Sequence, residues 1–477
     1  MAITADAQWW IRTDGDDLNG AGFDSTISGY GTNYADQATA QLTLTDLATS
    51  GAGSTTLTSA TGGFTSAMVG NAIQIVSGTN VTNGYYFVTG YTSSGSVTVD
   101  RAPDNGGGGI SSGNGKLGGA WASPEVAISV AHANGLSPTT PSPLLAGNTV
   151  NIRGSGTDNP SSPDYTFSNW SKITSGSTTN FIKFIGYNGR PHIRGAGNLI
   201  FYSTSNHWYR NMKFSAGGSA FVSSHTMVSN CHITNCIFDQ NGYGGHCAGA
   251  YAAIGNYFYN SGGTTTNVNR AITGAQYNFP IFGNYINIDG AGIRVSSIGS
   301  CRNNIIVGNG TGYGISTGWP NFNFHQQVCN NTIINATNGI TVDSTSEIDS
   351  VIDVSGNLIV DCDVGIRFDA AAIDLNMNGS YHKNGFYNNT ANYQNWSGRS
   401  SDVILTADPF TDASAGDYSL NTTAGGGAAC RGAINPFEFT PIVSPVGYGD
   451  IGALQSDPSG AGSGPTVQTV ASIERLK

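Results

Sequence analysis

Cleaving an acidic glycan takes either two carboxylates flanking the scissile bond or a base acting with calcium and arginine. The densest set of residues suited to that chemistry is Asp361, Asp363 and Asp369 with Arg367 among them, preceded by Glu347, Asp349 and Asp353. The one adjacent carboxylate pair, Asp16-Asp17, lies in Thr13-Asp14-Gly15-Asp16-Asp17-Leu18-Asn19-Gly20, which reads as an Asx turn. His225, His232 and His246 share a segment, but the first two are seven residues apart and no third ligand stands at metal spacing. Lys172, Lys183, Lys213 and Lys383 belong to no lyase-like phrase, and there is no phosphate-binding Gly loop, Ser-His-Asp order or nucleophile elbow. No metal and no cofactor is expected.

What positions these residues is a repeat. Asn followed two residues later by a large apolar residue recurs at Asn235, Asn256, Asn284, Asn304, Asn331, Asn357 and Asn384, with a degenerate copy at Asn211. A second phrase keeps step with it: Gly292-Ile293-Arg294-Val295, Gly314-Ile315-Ser316-Thr317, Gly339-Ile340-Thr341-Val342 and Gly365-Ile366-Arg367-Phe368. Alternation within the phrases has period two, so Ile293 and Val295 point inward and Arg294 outward. A unit of 20 to 28 residues made of short strands cannot bury its own inner face and must stack on its neighbours. The expectation is a β-solenoid in which the seven asparagines form a hydrogen-bonded ladder, Ile306, Ile333 and Ile359 stack inside, and Gly permits the tight corners. If Arg294 and Arg367 share an outer column, Ser316 and Thr341 lie between them. At about 4.8 Å per rung the arginines are then roughly 14 Å apart, too far to hold one carboxylate. No catalytic set is therefore expected, and Asp361, Asp363, Asp369 and Arg367 are the fallback should the chain be an enzyme.

Composition agrees with a folded, glycine-rich β-protein. The 477 residues include 67 Gly and 38% hydrophobic residues, and only 10% are charged, against a usual quarter. Disorder and collagen are both excluded. A net charge of −11 argues against nucleic-acid binding; eight Asp against one Arg place −7 of it in the first hundred residues. No apolar stretch is long enough to span a membrane, and the start lacks a basic, apolar leader, so a soluble chain made without a Sec signal is expected. Cys231, Cys236, Cys247, Cys301, Cys329, Cys362 and Cys430 show neither CxxC nor zinc spacing and read as buried, reduced thiols.

The ends carry a resemblance. Trp9-Trp10-Ile11-Arg12 leads into the Asp-rich turn; Ser123-Pro124-Glu125-Val126 opens an apolar-periodic helix to about Ala133, with Ser at the N-cap. Leu145 to Arg153 then begins the strands. After the repeat come Asp408-Pro409-Phe410, Gly416-Asp417-Tyr418-Ser419-Leu420 and Gly449-Asp450-Ile451-Gly452-Ala453. In this order the phrases resemble the right-handed parallel β-helix superfamily of pectate-lyase-like proteins, over residues 8 to 22 and about 120 to 455. The resemblance implies an all-β, right-handed parallel β-helix. It says little of function, because that architecture hosts lyases, hydrolases and virion proteins.

The expected organisation is residues 1–35 as first strand and turn, 36–117 as a small inserted antiparallel β-domain, 118–455 as the β-helix, and 456–477 as linker and terminal docking peptide. The helix from Ser123 is expected to cap one end and the chain after Asp408 the other. A rod with no recognisable catalytic set suits a structural virion surface protein of a tailed bacteriophage, assembled in the host cytoplasm. The chain begins at the first strand and ends soon after the closure, which favours a capsid decoration (cement) protein. Its partners would be itself as a homotrimer and the major capsid protein, held through residues 36–117, the last twelve residues, or both. The alternatives are a trimeric tail spike, bound to a tail component and to host surface glycan, and a polysaccharide lyase or hydrolase. Neither nucleic acid nor membrane is an expected partner.

Overall fold

Apolar phrases of three to five residues, punctuated by Gly and Asn, form short strands that find partners in the preceding and following repeats rather than in their own. The computed structural model describes residues 6–127, 144–167, 181–195, 207–216, 231–239, 247–250, 252–259, 271–274, 279–287, 292–294, 299–317, 325–342, 351–368, 381–434 and 450–454. It is nearly all-β and divides into two units, Met1–Gly217 and Gly218–Lys477.

In the second unit, successive strands join three parallel ladders in turn. The first ladder runs from Cys231–Thr234 to Tyr381–His382, and the third from Cys247–Ala250 to Ala391–Gln394. The second comprises Ile237–Asp239, Tyr257–Tyr259, Tyr285–Asn287, Ile305–Val307, Thr332–Ile334, Leu358–Val360, Gly385–Tyr387 and Val403–Ile404. Its central column, Phe238, Phe258, Ile286, Ile306, Ile333, Ile359 and Phe386, is buried and in register throughout. A matching buried column, Ile272, Ile293, Ile315, Ile340 and Ile366, lines the third ladder. The two columns abut. A Cβ added at Gly314 would meet Ile333 Cγ2 at 2.4 Å, and one at Gly339 would meet Ile359 Cγ2 at 2.6 Å. The glycines of the second phrase are therefore required for close approach.

The corners use other residues. Asn235, Gly255, Gly283, Asn303, Asn330, Gly356 and Lys383, each leading into a second-ladder strand, have φ between 53° and 65°. This left-handed region favours Gly and Asn.

The closure segment departs from expectation. Leu405, Phe410, Tyr418, Leu420, Cys430, Ile434, Ile451, Ala453 and Leu454 pack in one cluster with Tyr285, Ile305, Ile334, Leu358 and Val360, which flank the central column of the second ladder. Asn303 Nδ2 donates to Ala453 O (3.3 Å), Asn330 Nδ2 to Asp450 O (3.1 Å), and the Gly452 amide to Gly356 O (2.8 Å). The described residues after Asp408 thus lie along the side of the ladder across several repeats rather than over its end. The physical reason lies in the strands: Leu358, Ile359 and Val360 are all buried, so both faces need cover. At the last repeat Trp396 instead packs on Phe368, Tyr381 and Tyr393, with ring centroids 5.0, 5.2 and 5.4 Å away.

In the first unit, Gln8–Ile11 pairs parallel with Thr149–Arg153, which pairs with Ile182–Tyr187 and that with His207–Arg210. Tyr165–Phe167, His192–Gly195 and Lys213–Ala216 form a second parallel set. Between residues 42 and 117 lies a six-stranded antiparallel sheet ordered Leu42–Leu47, Ser111–Leu117, Ala72–Thr79, Gly84–Ser93, Ser96–Val99, Thr56–Thr58. Trp9 stacks on Trp121 at 5.2 Å and meets Tyr85 and Phe87 edge-on, tying the first strand to that sheet. Ser123 Oγ accepts the Glu125 amide at the start of the helix Pro124–Ala127. The rest of the expected capping helix and residues 456–477 lie outside the described residues.

Replacing Ile333 by Asp places a charge in the central column with no counter-ion in adjacent rungs. Chemical denaturation should show a loss of more than about 4 kcal/mol. A loss below about 1 kcal/mol would mean that the column is not the core.

Candidate functional site

The most ordered polar feature of the chain is a column of buried asparagine amides. Asn256, Asn284, Asn304, Asn331 and Asn357 each donate from both backbone N–H and Nδ2 to the Oδ1 of the next asparagine, at 2.9–3.1 Å, the series ending at Asn384. The second Nδ2 hydrogen goes to a carbonyl of the preceding repeat, as Asn331 does to Cys301 O at 3.0 Å. Donors and acceptors of each amide are thereby matched without water. Asn235 is not a member, contrary to the sequence reading. The register aligns it with Gly255, in the left-handed corner; Cys236 occupies the column and its amide donates to Asn256 Oδ1 at 3.0 Å. Asn211 has φ 56° and is likewise a corner residue. At the other end Asp402 replaces an asparagine. Its carboxylate accepts the Asn384 amide at 2.9 Å, the Arg399 amide at 3.0 Å and the Tyr393 hydroxyl.

Of the acidic cluster, the described residues are Asp361, Asp363 and Arg367, with Asp353 before them. Asp361 occupies a second left-handed corner (φ 56°) in the same place as Asn335 and Asn388, and its carboxylate accepts from Asn388 Nδ2 at 2.6 Å. Asp363 is an exposed turn residue whose amide donates to Ala336 O at 3.2 Å. Arg367 is exposed, and Asp369 lies outside the described residues, as do Glu347 and Asp349. In the third ladder Arg294 pairs with Ser316, Ser316 with Thr341, and Thr341 with Arg367, so the two arginines are three rungs apart. His232 is half-buried, which pushes its pKa down; His225 and His246 lie outside the described residues. Among the described residues no group of three His, Cys, Asp or Glu could hold a metal ion.

Two clusters in the first unit escaped the sequence reading. Arg12, just after its strand, precedes Arg153 and Tyr187, which sit on consecutive rungs. Arg12 grips Asp14 in two-pronged fashion (2.8 and 2.9 Å), and Tyr187 donates to Asp36 Oδ1 at 2.5 Å. The Asp14 hydrogen bond holds the Arg12 pKa up, while Arg12 holds Asp14 down. Burial, then Asp36, pushes the Tyr187 phenol up, leaving it a proton donor rather than a base. The matching endings Trp10-Ile11-Arg12 and Asn151-Ile152-Arg153 were the available signal. The other cluster sets His192 Nε2 2.7 Å from Ser215 Oγ, with Lys213 Nζ bound to Asn159 Oδ1 and Pro160 O. His192 and Ser215 are 4% and 6% exposed, and Asp164 accepts the His192 backbone amide at 2.8 Å.

Two measurements probe these features. Asp402→Ala should lower stability by about 2 kcal/mol, because the backbone N–H of Asn384, the last residue of the column, loses a charged acceptor, whereas Asp402→Asn should recover most of it. Equal losses in both would mean that the column end needs no acceptor. Burial pushes the Cys362 and Cys430 thiols up to about 12, and Cys236, Cys301 and Cys329 are also buried. Peptide mapping after native treatment with a thiol reagent at pH 8 should find none of these five modified; rapid labelling of any would contradict the packing. No protein-family model, curated protein or solved structure matches the chain.

Proposed function

We propose that the chain folds as a right-handed parallel β-helix and serves as a structural protein of a tailed-phage virion surface, a capsid decoration without catalysis of its own. Support for the fold is the order in which each repeat supplies one strand to each of three parallel ladders, together with the opening and closing phrases. The observation that carries the non-catalytic reading is Asp361: the best acidic candidate holds a left-handed corner and bonds to Asn388 in the next repeat. A carboxylate used this way is an element of stacking, not a general acid facing a partner across a bond. On this reading the chain is a homotrimer bound to the major capsid protein through the antiparallel sheet, the last twelve residues, or both.

The purified protein should release neither reducing ends nor unsaturated uronides from acidic polysaccharides. Turnover abolished by Asp361→Asn or Asp363→Asn would replace this reading with that of a depolymerase. Quantitative mass spectrometry of particles should find hundreds of copies each; a handful would assign the chain to a tail spike.

A further inference from the structure

Between Thr149–Arg153 and Tyr165–Phe167 the chain is tied to later rungs of the first unit. The amides of Gly154 and Gly156 donate to Tyr187 O and Asn188 O at 2.9 Å, and the Arg190 guanidinium donates to Asp158 O at 2.8 Å. One rung further on, Lys213 Nζ donates to Asn159 Oδ1 at 3.0 Å and to Pro160 O at 2.9 Å. Lys213 is 3% exposed and Asn159 is half-buried. An amine held out of water against a primary amide is a pair of reactants as well as a hydrogen bond. Asn159 Cγ lies one C=O bond, about 1.2 Å, beyond Oδ1, so Nζ and Cγ are no more than about 4.2 Å apart. Near-attack separations are about 3–3.5 Å, a shift of roughly 1 Å.

We propose that Lys213 and Asn159 join in an intramolecular isopeptide bond once the chain has folded. The neutral amine attacks Asn159 Cγ, the Nζ–Cγ bond forms and the Cγ–Nδ2 bond breaks; one amine proton leaves with Nδ2 as ammonia. No oxidant or further reactant is needed. Removal from water favours the neutral, nucleophilic form of an amine. Pro160 O holds Nζ from a second direction, so little orientational freedom remains to be lost. Pro160 also lacks a backbone N–H, so the attack by the following amide that turns an asparagine into a succinimide is closed to Asn159. The proton has carriers in the same column: His192 pairs with Lys213 in the ladder, and Asp164 exchanges backbone and carboxylate hydrogen bonds with the His192 main chain. The bond links positions 54 residues apart and ties the segment ahead of Tyr165–Phe167 to Lys213–Ala216, two rungs on. It is one self-modification per chain rather than turnover, and it stands whether or not the chain belongs to a virion.

Mass spectrometry of the full chain, freshly purified and after prolonged incubation, tests it. The intact mass should lie below the value calculated from the sequence by one ammonia, about 17 Da. Trypsin should leave residues 154–172 linked to residues 211–270, because an acylated Lys213 is no longer a cleavage site. Lys213→Arg, which keeps the cation but not the nucleophile, and Asn159→Ala, at a half-buried position, should each give the full mass and linear peptides. Protein held in denaturant from lysis onward should also stay unlinked, which separates a reaction of the fold from one of the chain. A linear 154–172 peptide with complete cleavage after Lys213, in fresh and incubated samples alike, would overturn the assignment. So would a linked species that persists in Lys213→Arg, or an ammonia loss that maps to another asparagine while these two peptides remain linear.

Discussion

A primary amide has two hydrogens and two acceptor sites, and the repeat is organised around matching all four in a place closed to water. Leaving one such group unmatched costs about as much as several good contacts return. In the asparagine column Oδ1 takes two hydrogens from the preceding asparagine, and Nδ2 gives one to the next asparagine and one back to a carbonyl. Every amide therefore points the same way. Aligned dipoles strengthen one another, and their donor end favours an anion. Asp402 stands at that end, and the Cys236 amide starts the series at the other. Repeat length is free to vary between these asparagines because only their stacking is fixed.

The column also explains the glycine and isoleucine pattern. Once the asparagines are in register, the residue two places on falls into the buried central column. Its branched side chain then presses on the glycine backbone of the third ladder. Ile333 against Gly314 and Ile359 against Gly339 are the same contact repeated. A larger residue at either glycine would need the isoleucine to yield, and the isoleucine is fixed by neighbours above and below.

Much of this was legible in the sequence because it rests on period and spacing. The parallel ladders, the antiparallel sheet near the N-terminus and the buried isoleucines follow from alternation and from phrases that keep step. The error at Asn235 has a physical origin: asparagine suits both a left-handed corner and an amide column, and the two sites are adjacent. The dipeptide resolves them. Gly255-Asn256, Gly283-Asn284, Asn303-Asn304, Asn330-Asn331 and Gly356-Asn357 all read corner then column, so Asn235-Cys236 places its asparagine in the corner. The lateral closure was read instead as an end cap, although runs such as Leu358-Ile359-Val360, with no polar face, carried a signal for it. Two strands of the antiparallel sheet, Thr56–Thr58 and Ser111–Leu117, were not legible, since Gly113 and Gly115 give a weak strand signal and owe their place to close contacts with Leu47 and Gln74.

Sites on such a surface are harder to read than its core, for a reason that follows from the stacking itself. Residues that converge outside the ladders come from consecutive repeats 20 to 28 positions apart, and from segments laid across them. Arg12 and Arg153 are near one another only because their strands pair, although 141 positions separate them. The same holds for Tyr285 and Tyr418, which meet only because the closure segment crosses the ladder. Sequence proximity, by contrast, gathered Asp361, Asp363 and Arg367 into an apparent cluster. Stacking hands Asp361 to Asn388 in the next repeat and leaves Arg367 in a column with Thr341 and Gln394. In a chain of this kind the neighbours that decide chemistry are one repeat away, so a functional motif has to be sought down the columns rather than along the strand.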